Sequence, residues 1–181
     1  MKKLLIFIFI SFALNLNAAS LEGVNFPDKV TVLGKELVLN GMGIRKATFL
    51  KIKVYIGALY LDQKSKEPNS FLATNAPKQI IMHFVRDADA KKLTEAFSER
   101  MKATNKNYDV LKSSMDKFNS HIVDMAKNDQ IIVTFLSDGV VIDVKGKVAE
   151  RIPGAEFSKS LLNIWFTDAP DQGLRSGLLG L

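Results

Sequence analysis

The alternation of hydrophobic and polar residues predicts β-strands in the first half of the chain. Residues 30–32 and 36–39 are short β-rich segments on either side of Gly34, which can take the positive φ of a tight turn, so they predict a hairpin. Residues 49–61 form the longest such stretch, half-exposed at its start and apolar on both faces later, which predicts a central strand. The glycines within residues 40–43 predict a flexible turn that leads into this strand.

The second half of the chain predicts further strands. Residues 78–85 form another β-rich run. Residues 131–144 predict a hairpin around Asp138 and Gly139, because both residue types tolerate the backbone conformations of tight turns. Strands joined by such short turns pair side by side, so the sheet is predicted to be mostly antiparallel.

Apolar residues at helical spacing predict helices between these strands. A stripe over residues 111–125 advances in steps of three and four, and a similar stripe over residues 93–104 has Asp87 or Asp89 placed to cap its start. Residues 157–166 predict a third, largely buried helix, which a short tail helix follows. The predicted fold class is α+β, with an antiparallel sheet and helices packed on one side.

The beginning of the chain differs in character from the rest. Two lysines precede an apolar run at residues 4–14, broken only by Ser11, and small residues follow at 18–20, which is the pattern of a secretory signal peptide. The run is about half of the roughly 20 apolar residues that a membrane-spanning helix needs. Residues 1–19 are therefore predicted to be a signal peptide, and residues 20–181 one domain that is secreted to the periplasm or beyond, without a stable membrane anchor.

Length and composition exclude several classes of protein. The chain has 181 residues, 47 % hydrophobic and 24 % charged, which is typical of one folded domain. The absence of cysteine excludes a disulfide framework, a thiolate nucleophile and a cysteine-ligated metal. The formal net charge of +6 falls to +4 without the predicted signal peptide, which carries two lysines and no acid. Basic residues are scattered among acids rather than clustered with aromatics, so no nucleic-acid partner is predicted.

Motifs for metals and cofactors are missing from the sequence. Neither His83 nor His121 has an acid at ligand spacing that forms an HExxH or similar cluster. The glycines form neither a phosphate-binding loop nor the elbow around a nucleophilic serine. Neither a metal nor a cofactor is predicted.

Arg45 and Tyr55 are the candidate binding residues. If residues 45–55 formed one extended strand, the two side chains would be about 33 Å apart and could not share a ligand. A bend near residues 46–48 would bring the guanidinium back beside the phenol, and the pair would then form a carboxylate clamp at the end of an apolar cavity. Spacing alone leaves open a second interpretation, in which Arg45 is a surface residue and Tyr55 a core aromatic.

Two motifs resemble the chalcone isomerase-like family. The first is N-G-M-G-I-R at residues 40–45, followed by a strand that ends in A-L-Y-L at residues 58–61, as in the family's G-x-G-x-R turn and strand. The second is the run at residues 157–166 with the tail at residues 168–170 and 178–180, which is similar to the end of secreted bacterial members. The resemblance implies an open-faced β-sandwich, with a large antiparallel sheet, a helical layer and a ligand cleft between them.

The resemblance also implies roles for individual residues. Arg45 matches the arginine that helps to hold the anionic substrate in the family's plant cyclases. Tyr55 falls where the cyclases have a threonine, as in the family's fatty-acid binders, in which arginine and tyrosine together grip the carboxylate. Lys92 and Glu99 replace a tyrosine and an asparagine of the cyclases, and Ile164 replaces a pocket threonine. These departures argue against cyclisation of chalcones.

The leading hypothesis is a periplasmic protein that binds a fatty acid or similar amphiphilic carboxylate without catalysis. Arg45 and Tyr55 would hold the head group. The remaining residues predicted to line the pocket are Lys92, Phe97, Met101, Ile164 and Trp165. Oligomeric state is left open by the sequence.

Two other hypotheses stay open at this point. In the first, the protein is an isomerase or intramolecular lyase acting on an enone, with Arg45 stabilising an oxyanion and Tyr55 donating a proton. In the second, it is an interaction module with a vestigial pocket, which predicts a collapsed cleft and a sizeable exposed apolar patch.

Overall fold

The structure, a computed structural model, describes residues 18–47, 50–169 and 171–181. Most of the predicted signal peptide lies outside the described residues, so that prediction is not tested here. Its last two residues, Ala18 and Ala19, begin the first strand.

A large antiparallel sheet is the centre of the fold. The strands of the described residues are β1 (Ala18–Leu21), β2 (Val24–Pro27), β3 (Lys29–Val32), β4 (Lys35–Ala47), β5 (Ile52–Leu61), β6 (Lys78–Phe84), β7 (Gln130–Leu136), β8 (Gly139–Val144), β9 (Lys147–Val148) and β10 (Ile152–Pro153). The large sheet has the order β10-β8-β7-β6-β5-β4-β3, with β9 also paired to β8. The predicted hairpins β3–β4 and β7–β8 are confirmed, and so is the α+β class.

Helices cover one face of this sheet. They are α1 (Pro68–Leu72), α2 (Ala90–Thr104), α3 (Tyr108–Asn119), α4 (Ala155–Asn163) and α5 (Gln172–Leu178). Asp89 caps α2, as predicted, because its side chain accepts a hydrogen bond from the Lys92 amide at 3.1 Å.

The helix predicted over residues 111–125 is shorter than its apolar stripe. α3 ends at Asn119, and Ile122 and Met125 are buried in the loop that follows. Met125 forms an isolated backbone bridge with Ala88, which holds this loop against the start of α2. The apolar spacing continues past the end of α3 because the loop folds back on the same core, where Ile122 and Met125 are buried.

The two faces of the sheet carry separate cores. Phe97, Phe118 and Trp165 belong to the core between the sheet and the helices. The opposite core contains Phe26 of the β1–β2 hairpin, a hairpin that the sequence analysis did not predict. Tyr60 ties this hairpin to the sheet, since its hydroxyl donates to the Pro27 carbonyl at 2.9 Å. The result is a sheet with a full helical layer on one face and a small β-cover on the other.

The predicted glycine turn at residues 40–43 is wrong, because these residues lie inside β4. α5 crosses this part of the strand with its backbone almost touching the strand backbone. A Cβ atom on Gly41 would lie 2.3 Å from the Gly177 carbonyl oxygen, and one on Gly43 would lie 2.4 Å from the Leu174 carbonyl oxygen. Glycine is needed here for close approach and not for a bend.

β5 begins later than predicted and contains an irregularity. The strand starts at Ile52, after the turn residues Leu50 and Lys51, and residue 49 lies outside the described residues. Its pairing with β4 passes from Arg45–Tyr55 to Lys46–Lys53, so Val54 has no partner on the opposite strand. An extra residue of this kind changes which side chains face each side of the sheet. The simple alternation predicted for this strand therefore fails at Val54.

Candidate functional site

A cavity of about 370 Å³ lies between the sheet and the helical layer. It is bounded by the last residues of β4, the first residues of β5, α2, the turn after α4 and the start of α5. Most of its wall is apolar, and the larger apolar contributors are Val54, Leu93, Phe97, Ile164, Trp165 and Leu174. An open cavity of this size contradicts the collapsed cleft that the interaction-module hypothesis predicts.

Arg45 and Tyr55 meet at this cavity. They are directly opposite each other in the β4–β5 ladder, and both line the cavity. Side chains of such a pair point to the same face with Cβ atoms about 4.5–5.5 Å apart. β4 and β5 pair as an antiparallel hairpin, so the chain reverses between Ala47 and Ile52. This hairpin, and not a bend near residues 46–48, brings Arg45 beside Tyr55. The bulge at Val54 then turns Tyr55 towards the helices.

The phenol of Tyr55 is buried and oriented by Trp165. The indole nitrogen donates a hydrogen bond to the Tyr55 oxygen at 3.1 Å, so the phenol accepts at its oxygen and keeps its own proton for another acceptor. No side chain or carbonyl in the described part of the chain accepts that proton. Burial raises the pKa of Tyr55, against the opposing effects of the Trp165 hydrogen bond and the nearby Arg45 charge. The phenol is therefore a neutral donor that faces the cavity.

This burial makes a prediction for alkaline solution. Burial raises the pKa of Tyr60 as well, with the Asp28 carboxylate acting in the same direction. Because both folded-state pKa values lie above the unfolded value, the unfolded chain loses protons first, and the free energy of unfolding should fall as the pH rises above about 10. We expect phenolate absorbance to show two of the three tyrosines ionising only together with loss of the far-ultraviolet circular dichroism signal. Ionisation of all three tyrosines in the folded protein would contradict this.

Arg45 is held by Asp171 at one of its terminal nitrogens. Its Nη1 atom lies 3.6 Å from Asp171 Oδ2 and also donates to the Lys46 carbonyl. Asp171 is fixed in turn, because it caps α5 through the Leu174 amide at 3.0 Å and accepts from the Lys46 amide. Within residues 18–47, 50–169 and 171–181, no acceptor is bound by Nε or Nη2 of Arg45. One edge of the guanidinium is anchored and the other is open to a ligand.

Arg100 is a second arginine at the cavity, and the sequence analysis missed it. Its Nη2 atom donates to the carbonyls of Ile164, at 3.2 Å, and Thr167, at 2.5 Å, which ties the turn containing Trp165 to α2. Its Nε atom is buried and has no hydrogen-bond partner among the described residues. Burial lowers the pKa of Arg100 from its usual value, although an arginine stays charged at neutral pH. The signal was an arginine on the apolar stripe of α2, one turn after Phe97.

The structure places most of the other predicted lining residues at the cavity. Those that line it are Lys92, Phe97, Ile164 and Trp165. Met101 does not line it, because its side chain is fully buried in the core between the sheet and the helices, although its neighbour Arg100 reaches the cavity. Glu99 is exposed and does not line the cavity.

Among the described residues, no group of three or more histidine, aspartate or glutamate side chains could hold a metal ion. None of the helices in the same ranges is long and apolar enough to cross a membrane.

The architecture is that of an open-faced β-sandwich with a cleft between the sheet and its helical layer. A sequence profile described as chalcone isomerase-like matches residues 18–180. The chain belongs to the chalcone isomerase-like family, which confirms the resemblance read from its motifs.

Comparison with solved structures gives the same fold. The crystal structure of a fatty-acid binding protein from Arabidopsis thaliana is similar over 90 % of this chain and 96 % of that one, with a TM-score of 0.71 and 18 % sequence identity. At this identity the similarity concerns the fold alone. No curated protein sequence matches the chain.

Proposed function

We propose that this protein binds a fatty acid or a similar amphiphilic carboxylate, without catalysis, in the periplasm or outside the cell. The observation that carries the proposal is the pairing of Arg45 with Tyr55 at an apolar cavity, each with a donor that no described residue uses. The similar fold of a plant fatty-acid binding protein supports it. The signal-peptide pattern at the start of the sequence supports the location.

The site has the donors that a carboxylate requires. A carboxylate can accept two hydrogen bonds from the open edge of the Arg45 guanidinium and a third from the Tyr55 hydroxyl. Asp171 approaches Nη1 only, so it holds Arg45 in place and leaves Nε and Nη2 for the ligand. The ligand would therefore enter with its head group at the β4–β5 hairpin.

The acyl chain would lie along the apolar wall formed by Val54, Phe97 and Ile164. The cavity, about 370 Å³, lies at the lower end of the roughly 300–1,000 Å³ typical of small-molecule sites. Ten buried methylenes would contribute about 8 kcal/mol. A micromolar dissociation constant corresponds to about 8 kcal/mol, so head-group contacts are needed to offset the cost of ordering the ligand.

Two features of the cavity favour binding over catalysis. The raised pKa of Tyr55 keeps its phenol protonated near neutral pH, as a hydrogen bond to a carboxylate requires; it rules out Tyr55 as a general base but not as the proton donor of the isomerase alternative. Ile164 lies at the cavity wall and has no group that could donate to a reacting oxygen. The lining carboxylate closest to Arg45, Asp171, is bound by the Leu174 and Lys46 amides and pairs with the guanidinium, so it positions the clamp for an anion and is not a free base.

The proposal predicts co-purified lipid and selective binding of acids. Native mass spectrometry of the purified protein should show one fatty acid per chain. After delipidation, titration with palmitate should change the fluorescence of Trp165, the single tryptophan, which contacts Tyr55. Methyl palmitate should bind at least about tenfold more weakly, because it has the same chain but no negative charge for Arg45.

Two results would contradict the proposal. Equal affinity for the acid and its methyl ester would show that Arg45 and Tyr55 do not recognise the carboxylate. Turnover of an enone by the delipidated protein, lost in Tyr55→Phe, would instead favour the isomerase alternative.

A further inference from the structure

The acidic side chains around the cavity mouth are committed to backbone amides. The cavity mouth lies at the end of the sheet where β6 ends, at Phe84, and β7 begins, at Gln130. Asp87 accepts from the Lys127 amide at 2.9 Å, Asp124 accepts from the Ala90 amide at 2.8 Å, and Asp129 accepts from the Ala126 amide at 2.7 Å. Each carboxylate thereby fixes a loop or a helix start, and its charge is partly compensated by the amide dipoles, although Asp87 and Asp124 are themselves exposed.

The basic side chains at the same end have no such partners. Lys51, Arg86, Lys91 and Lys127 are exposed, and none of them forms an ion pair with any residue that the structure describes. Lys91 and Lys92, which lines the cavity, lie in the first turn of α2, and this turn contains no acid. Positive charge is unfavourable there because the helix dipole is positive at this end. The carboxylates of Asp89 and Asp124 already bind the first amides of α2, and the two lysines add positive charge beside them.

Two large apolar side chains are exposed beside these cations. Leu50, at the β4–β5 hairpin, is 65 % exposed, and Val123 is 46 % exposed. Leu50 and Lys51 directly precede Ile52, which lines the cavity. Val123 precedes Asp124, whose carboxylate binds the first amide of α2. We call these six residues the mouth patch: Leu50, Lys51, Arg86, Lys91, Val123 and Lys127.

We propose that the mouth patch docks the protein on an anionic phospholipid surface. Its exposed cations are complementary to phosphate head groups, and each lysine or arginine near such a surface attracts it through charge. Leu50 and Val123 can enter the interfacial region, where their apolar surface leaves water. Because Arg86 belongs to both the patch and the cavity wall, docking would place the cavity mouth against the bilayer. An amphiphile could then pass between membrane and cavity without crossing water.

The test is sedimentation of the purified protein, beginning at Ala18 so that β1 is intact, with large vesicles. One vesicle set contains phosphatidylcholine alone and the other contains phosphatidylcholine with 30 mol % phosphatidylglycerol, a composition of about one anionic lipid in three. We expect binding to the anionic set only, and its loss at about 1 M salt, where the Debye length is about 3 Å. The variant K51Q/K91Q/K127Q should bind roughly a hundredfold more weakly, at about fivefold per lysine.

A matched variant separates this effect from net charge. Lys64, Lys66 and Lys159 are also exposed and form no ion pair with the described residues, but they lie at the opposite end of the sheet. K64Q/K66Q/K159Q should keep wild-type vesicle binding, whereas Leu50→Ser should weaken it severalfold. Equal loss in both triple variants, or binding to phosphatidylcholine alone, would overturn the proposal.

The outcome is independent of the proposed ligand. K51Q/K91Q/K127Q should retain wild-type affinity for palmitate in the fluorescence titration, since none of these three lysines lines the cavity. Vesicle binding without palmitate binding would support the docking surface and contradict the proposed function. Palmitate binding without vesicle binding would support the proposed function and contradict the docking surface.

Discussion

Replacing Arg45 by alanine is expected to weaken the binding of a fatty acid roughly 30- to 150-fold. The head group would lose two charge-assisted hydrogen bonds, for which a net loss of about 2–3 kcal/mol is reasonable after water takes their place. The fold should tolerate the change. The Arg45–Asp171 pair is long, at 3.6 Å, and the arginine side chain is 28 % exposed, so its loss should cost at most about 1 kcal/mol of stability. Palmitate titration monitored by Trp165 fluorescence would measure the loss of affinity.

Two further variants show whether geometry or charge is responsible. Arg45→Lys keeps the charge but loses the planar fork, so its affinity should fall between those of the wild type and Arg45→Ala. Arg86→Ala removes an exposed arginine from the same cavity wall, and its affinity should stay within about threefold of the wild type. If Arg86→Ala and Arg45→Ala had equal effects, the head group would be attracted by general positive charge and not by the clamp.

The fold was predictable from local patterns where the local pattern and the tertiary contact agree. The hairpins β3–β4 and β7–β8 have turn residues with suitable backbone preferences, and Asp89 is a good cap at the start of an apolar stripe. The β4–β5 hairpin has no comparable signal. Residues 46–51 contain no glycine, proline, asparagine or aspartate, and the turn instead holds Lys51 at a φ of 51°. A hairpin was therefore predicted only as a bend.

The site shows the same division. Arg45 and Tyr55 could be singled out from a motif and their residue types, but the bulge that turns Tyr55 to the helical side depends on strand register. Register is set by the partner strand, so spacing along one strand does not reveal it. Arg100 was missed because its partners are carbonyls about 65 residues later in the chain, in a turn after α4.

The glycines of β4 are the clearest case of a local signal with a distant cause. Glycine in a sequence usually indicates a turn. Here the requirement comes from Leu174 and Gly177 in α5, whose backbone atoms take the space that a side chain on the strand would need. The family motif correctly singled out these glycines, but the turn predicted from them was wrong, because they lie inside β4 beneath α5.

Replacing Gly43 by alanine should therefore destabilise the protein strongly, by about 3 kcal/mol or more, at the upper end of overpacking effects. The new Cβ atom would lie 2.4 Å from the Leu174 carbonyl oxygen and 2.9 Å from the Leu174 Cα atom. Both are backbone atoms, so no side chain can rotate away and α5 itself has to move. For a domain of this size we expect the melting temperature to fall by about 6–12 °C, measured by circular dichroism and by urea unfolding.

Gly173→Ala is the matched control on the helix side of this contact. The nearest atom to its new Cβ would be Asp171 Oδ1 at 3.3 Å, and alanine favours the helix, so stability should change by less than about 1 kcal/mol. α5 also carries Asp171 and Leu174 at the cavity, so displacing it in Gly43→Ala should disturb the anchored edge of Arg45 and weaken palmitate binding as well. An unchanged unfolding midpoint in Gly43→Ala would show that α5 does not rest on the strand backbone, whereas lower stability with unchanged affinity would show that Asp171 does not position Arg45.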